Sequence, residues 1–200
     1  MSDPVHSMRY AVVDTETIGL YPATDRVLQV AVVIVRGDGT VEHQFSTHIK
    51  RLVLKPGRLG AHNVHGITRG DLLRGMPADA ALRQLQELLH GAVFTAHNAA
   101  FDLGFLFAEA KRANFELQIP SHVCTLKMSR ALDPQSTRSH KLSEIAKRYN
   151  LVNERQHDAL GDALTTAAVL PRLLGELQIS TVDQLARFTV TDQLRNSAQP

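Results

Sequence analysis

Apolar residues follow two rhythms along this chain. Nearly unbroken runs rich in Val, Ile and Phe cover residues 9–13, 26–35 (RVLQVAVVIV) and roughly 40–49 (TVEHQFSTHI), and RGDG between the last two is a turn signal. They predict three consecutive strands in a meander. The segment from Lys55 to Gly75 lacks clear periodicity, and ADAALRQLQELLHG then predicts a helix stopping at Gly91. AVFTAHN reads as a short buried strand, followed by a helix on which Phe101, Phe105, Leu106 and Ala110 recur at helical spacing. HVCTLKMS reads as a further strand, completing a strand–helix–strand unit with parallel pairing. KLSEIAKRYN and DALGDALTTAAVLPRLLGEL predict two more helices. On the second, Leu160, Leu164, Ala167 and Ala168 form the expected core stripe, and Pro171 is expected to kink or interrupt it. The expectation is a mixed α/β architecture without repeats or low-complexity segments.

Composition narrows the class. At 200 residues the chain is long enough for one full-sized domain, expected over 9–175, with a flexible start (1–8) and a short C-terminal helix and loose tail (176–200). The 44% hydrophobic and 21% charged fractions are those of a soluble globular protein, and no apolar run nears the ~18 residues a membrane span needs. MSDPVHSMRY lacks the basic start and apolar middle of a secretory signal, so the expected location is cytoplasmic. Cys124 is the only cysteine, which excludes an internal disulfide and a Cys-based zinc site. Net charge is +2 and the 22 basic residues are scattered. A long basic nucleic-acid groove would show a stronger imbalance, whereas a protein gripping only a strand end through metal ions need not.

The chemistry-bearing positions are acids at element boundaries. In AVVDTETIGL a strand ends in Asp14 and Glu16, which pleat geometry projects to one face while Thr15 and Thr17 face away. Alone, such acids read as solvated punctuation before a turn; together they repel unless a cation lies between them. TAHNAAFD places Asn98 at a strand end, as a natural N-cap, and Asp102 in the first turn of the next helix. RQHDALGDALTTAAVL brings His157, Asp158 and Asp162 to the start of the late helix. Asp158 suits the N-cap, whereas Asp162, among Ala and Leu, costs free energy unless exposed or given a cation. Three segments thus deliver acids to strand ends or helix starts, one with a histidine able to take a proton. All-oxygen ligands indicate hard cations, Mg²⁺ or Mn²⁺, and four carboxylates suffice for two ions about 3.5–4 Å apart, an arrangement suited to phosphoryl transfer.

In order and spacing, DTETIGL, HNAAFD and HDALGDA resemble the three signatures of the DEDDh 3'-to-5' exonucleases, the family of the proofreading epsilon subunit of bacterial DNA polymerase III. The resemblance covers about residues 9–173. It implies a ribonuclease-H-like fold, a central mixed β-sheet flanked by α-helices. It also implies that Asp14, Glu16, Asp102 and Asp162 are the catalytic, metal-holding acids and His157 the general base. Asp162 is selected over Asp158 because the family places its last acid five residues after the histidine. HNVHGITRGDL is similar to a family segment near the substrate strand, making His65 a contact candidate, and the leucine of TIGL makes Leu20 a candidate for the terminal base. Thr17 and Asn98 complete the substrate-binding candidates.

The implied reaction is hydrolysis of the 3'-terminal phosphodiester to nucleoside 5'-monophosphates with two Mg²⁺ ions, Mn²⁺ able to substitute. One ion would be held by Asp14, Glu16 and Asp162, the other by Asp14 and Asp102. The expected partner is a nucleic-acid 3' end, DNA favoured over RNA. RNA trimming is the first alternative, and a non-catalytic polymerase-associated binding module the second. QLARF (184–188) faintly resembles peptides that dock on sliding clamps, which adds a polymerase or clamp as a candidate partner. The chain departs from the family pattern at Gln29, where an acid is frequent, at Gly60, where some relatives have a substrate-contacting Glu, and at Gly161, often Asp.

Overall fold

The computed structural model describes residues 5–51, 65–152 and 157–190. Three antiparallel strands, β1 (Arg9–Thr17), β2 (Val27–Arg36) and β3 (Val41–His48), open the chain as the expected meander. Helices α1 (Arg69–Arg74) and α2 (Ala78–Leu89) precede β4 (Val93–Ala96) and α3 (Ala99–Arg112). Then come β5 (His122–Cys124), α4 (Thr125–Ala131), α5 (Leu142–Arg148), α6 (Ala159–Glu176) and α7 (Val182–Ala186). The sheet order is β3-β2-β1-β4-β5, with β4 parallel to both β1 and β5.

Side chains alternate between two cores. Ala11, Val13, Val30, Val32 and Ile34 pack with α2 and α3, through Leu82, Leu85, Leu103 and Phe105. Tyr10, Val12, Ala31, Val33 and Val35 pack with α6, through Ala163, Ala167, Leu170 and Leu174. Being covered on both faces explains why β2 is an almost continuous apolar run. Apart from the exposed terminal Arg36, its one polar residue is Gln29, 5% exposed.

Several expectations need correction. The strand expected over HVCTLKMS ends at Cys124, because the parallel ladder to β4 closes at the Ala96–Cys124 pair. Beyond it the good helix formers Leu126, Lys127 and Met128 continue as α4. Pro171 does not interrupt α6, which runs unbroken from Ala159 to Glu176. The buried Leu170, Leu173 and Leu174 anchor the helix around it and outweigh the lost backbone donor. Ala168 is exposed, whereas Leu160, Leu164 and Ala167 pack on the core as expected, joined by Ala163, Leu170 and Leu174. Within the unpatterned stretch after Lys55, α1 forms behind a capping box in which Thr68 and Asp71 bond each other's backbone N–H.

Of the expected start, residues 1–4 lie outside the described residues, and residues 5–8 run beside the first turn with His6 and Ser7 exposed. Val5 is fully buried and accepts a hydrogen bond from the Tyr10 hydroxyl (3.0 Å), while Gly37 N–H donates to Met8 C=O (3.1 Å). At the other end Leu185, Phe188 and Val190 are buried, and Cys124 N–H donates to Phe188 C=O (3.0 Å). Leu185 and Phe188 of QLARF therefore belong to the core, while Ala186 is exposed. Gly60 and residues 191–200 lie outside the described residues. Among those described, no helix is long and apolar enough to cross a membrane.

Candidate active site

Because β1 and β4 are parallel neighbours, their carboxyl ends open on the same edge of the sheet, the usual place for ligands in such layers. β1 brings Asp14 and Glu16 there, on the face covered by α6. Asp158 is the N-cap of α6, its carboxylate accepting Gly161 N–H (3.3 Å), and Asp162 lies in the first turn. One oxygen each from Asp14, Glu16 and Asp162 lie within 4.8 Å of one another. An all-carboxylate group of that size fits a hard divalent cation.

Asp102 reaches the same end of the sheet from the opposite layer. It lies in the first turn of α3, 3% exposed, and the Thr15 hydroxyl donates to its Oδ1 (2.9 Å). It is outside the Asp14–Glu16–Asp162 triad. Alternation along β1 accounts for this: Thr15 turns away from its acidic neighbours and meets Asp102 on the α3 face.

The electrostatics are those of acids crowded together. Asp14 is held well above its ordinary pKa, first by burial and then by the charges of Asp102, Asp162, Glu16 and Asp158. Burial, followed by Asp162, Asp158 and Asp102, raises Glu16 from 4.5 to about 8. Asp102 is raised from 3.8 to about 7 by burial, against the hydrogen bonds from Thr15. Such a cluster retains protons at neutral pH until a cation replaces them.

The other candidates surround this centre. His157 is exposed, with φ of +63°, immediately before the N-cap of α6. Asn98 precedes α3 with φ of +75° and makes no side-chain cap bond, so the expected N-cap hydrogen bond is absent. What Asn contributes there is tolerance of the left-handed conformation that swings the chain from β4 into α3. His65 Nδ1 accepts Ile67 N–H (3.0 Å), so the neutral ring carries its proton on Nε2. Leu20 is 72% exposed, at the tip of a stiff turn. The Thr17 hydroxyl donates to Gly19 C=O (2.6 Å), and Arg112 of α3 donates to the Ala23 (2.9 Å) and Pro22 carbonyls. Arg26 pairs with the buried Glu109 of α3 (2.7 Å).

Three supporting residues are not among the site candidates drawn from the sequence. Besides Thr15, His97 closes β4: its Nε2–H donates to His140 C=O and its Nδ1 accepts the Thr125 hydroxyl, both 3.0 Å. Burial lowers its pKa to about 4, so the ring is a neutral tie between β4 and the segment before α5. The third is Gln29, whose amide joins β2 to Asp158 (2.8 Å). At the sequence level each is an ordinary polar residue, and only the partner across the fold discloses its use.

Comparison with known proteins decides the family. The family model described as "Exonuclease" (RNase T) matches residues 11–170. The chain belongs to this exonuclease family. The DEDDh pattern fits it, and the mixed sheet with flanking helices is its ribonuclease-H-like fold. Over 189 residues the chain is 30% identical to the protein named 3'-5' exonuclease DinG of Bacillus subtilis (strain 168), covering 92% of this chain and 20% of that protein. Over 169 residues it is 32% identical to a PolC-type DNA polymerase III of Listeria innocua, covering 82% of this chain and 11% of that protein. It thus spans a fifth or less of these two relatives. The solved structure of exonuclease X in complex with 5' overhanging duplex DNA shares the fold, with TM-score 0.68, 24% identity and coverage of 92% of this chain and 99% of that one.

Proposed function

We propose that this exonuclease removes nucleotides from the 3' end of DNA by metal-dependent hydrolysis, releasing nucleoside 5'-monophosphates. The observation that carries the proposal is the convergence of Asp14, Glu16 and Asp162 oxygens within 4.8 Å beside the buried Asp102. Asp14, Glu16 and Asp162 would hold one divalent ion, and Asp14 with Asp102 a second. Bound there, Mg²⁺, or Mn²⁺ in its place, supplies positive charge at the attacking and departing oxygens.

The chain's own groups do the rest. Exposed just ahead of α6, His157 is the base that accepts the proton of the attacking water. Thr15 orients the Asp102 carboxylate, and the stiff turn offers Leu20 as an apolar surface for the terminal base. Thr17 holds that turn's shape through Gly19 C=O. His65 and Asn98 are assigned to the substrate strand. DNA as substrate is supported by the duplex DNA in the exonuclease X complex and by the name of the polymerase relative. That relative also supports a replicative polymerase as partner.

End-labelled single-stranded DNA, mismatched duplex DNA and RNA, digested side by side with and without Mg²⁺, test the reading. Stepwise, Mg²⁺-dependent loss from DNA 3' ends is expected. Preferential loss from RNA would transfer the reading to RNA trimming, and no release from any substrate would leave a binding module. His157→Ala should keep metal binding and lose most turnover; undiminished turnover would remove His157 from the mechanism.

A further inference from the structure

The feature of the sheet left unused by this reaction is the buried amide of Gln29. Gln29 lies directly opposite Glu16 in the β1–β2 register and projects to the same face. Both its polar atoms are engaged, by three residues on two elements. Nε2 donates to Asp158 Oδ1 (2.8 Å) and to Ser46 Oγ of β3 (3.1 Å), and Oε1 faces Ala159 N–H, the first helical residue of α6 (3.4 Å). The orientation of the amide is not arbitrary: a carboxylate can only accept and a backbone N–H can only donate, so a flipped amide would oppose both partners. Asp158 completes the chain with its second oxygen, which accepts Gly161 N–H (3.3 Å). Its charge is felt by both Asp14 and Glu16, yet it stands outside the triad.

We propose that Gln29 is a positioning residue: through Asp158 it fixes the start of α6 against β1 and β2, and thereby sets the spacing of Asp162 and His157 from Asp14 and Glu16. The inference deepens the metal-site reading above and rests on it. An acid at position 29 would set a carboxylate against that of Asp158 and beside Glu16. A neutral side chain with two donors and one acceptor suits this position, because it can serve a carboxylate, a hydroxyl and a helix-start N–H together.

The test is Mn²⁺ affinity of the full chain, read by calorimetry, with thermal melts and oligonucleotide kinetics alongside. Gln29→Met keeps the volume and removes the hydrogen bonds; it should weaken Mn²⁺ binding about tenfold or more, as loss of groups that orient metal ligands does. At fixed subsaturating metal kcat should fall in step, with KM for the oligonucleotide within about twofold, since the substrate turn is untouched. Gln29→Glu should weaken binding further. Gln29→Glu combined with Asp158→Asn reverses the polarity of the bond while leaving an oxygen for Gly161 N–H, and should bring affinity back to within about threefold of the parent.

A lowered melting temperature with unchanged Mn²⁺ affinity in Gln29→Met would overturn the proposal, making Gln29 structural only. If Gln29→Met does not fold, the Glu/Asn pair decides: affinity no better than in Gln29→Glu alone refutes it. Because metal binding is read directly, a chain without nuclease activity would sink the functional reading while the role of Gln29 is still measured.

Discussion

In a chelating buffer the protein should lose stability as pH rises from 6.5 to 8, and Mg²⁺ should abolish the loss. Glu16 and Asp102 have folded pKa values of about 8 and about 7, raised from 4.5 and 3.8. A raised pKa stabilises fully below the unfolded value, and that stability is lost as pH rises through the folded value. The buried histidines act in the opposite sense. His97 is lowered from 6.5 to about 4 and His122 is also lowered, so both add stability as pH rises, an effect complete near their ordinary value. Above pH 6.5 the acids therefore dominate.

One retained proton is worth about 1.4 kcal/mol per pH unit. Over this window Glu16 contributes at most about 1.7 kcal/mol, less after solvent screening of its partly exposed side chain, and Asp102 about 0.8 kcal/mol. The sum, about 2 kcal/mol, corresponds to a fall of roughly 4–8 °C in Tm for a chain of this size. Differential scanning fluorimetry across the window, with EDTA or with saturating Mg²⁺, reads both arms. A flat or rising Tm in EDTA, an equal slope in Mg²⁺, or an unchanged slope in Glu16→Gln would each refute the reasoning.

Asp162→Ala should abolish cleavage at every metal concentration. Asp158→Ala should cost about 1–2 kcal/mol of stability through the lost cap and regain turnover as metal is raised; denaturant titration and metal-dependent kinetics separate the two. Thr15→Val, nearly isosteric, should raise the Asp102 pKa above about 7 by removing a donor to its charged form, moving the carboxyl titration seen by NMR to higher pH. Leu185→Ala and Phe188→Ala should lower stability by about 2–5 kcal/mol in urea unfolding without changing single-strand cleavage at a permissive temperature, since both side chains are core.

The parts of the fold legible in the sequence are those governed by local periodicity. The β1–β3 meander, the β4–α3–β5 unit and the α2 and α6 helices all follow from apolar spacing, and the acids were found because they interrupt it. Contacts that cross the sheet were not legible. Thr15 looked idle because alternation points it away from Asp14, yet that direction leads to Asp102. Gln29 looked like a loss of charge and is a fully bonded amide. Asn98 sits at the expected place, but backbone conformation, not a cap bond, gives it its use. In QLARF, an amphipathic turn carries no sign of whether its apolar face meets a partner or its own core.

The two layers on either side of the sheet each contribute what the other lacks: α3 supplies Asp102, and α6 supplies Asp162 with His157 just ahead of it. A chain that has docked only one layer holds an incomplete set of acids. If the proposed function holds, hydrolysis requires both layers to be docked, and a half-assembled or truncated molecule would not cleave. That coupling would keep an incompletely folded chain from acting on nucleic acid. It also marks the link between α3 and α6 as a place to divide the protein into two inactive fragments whose reassociation would restore activity.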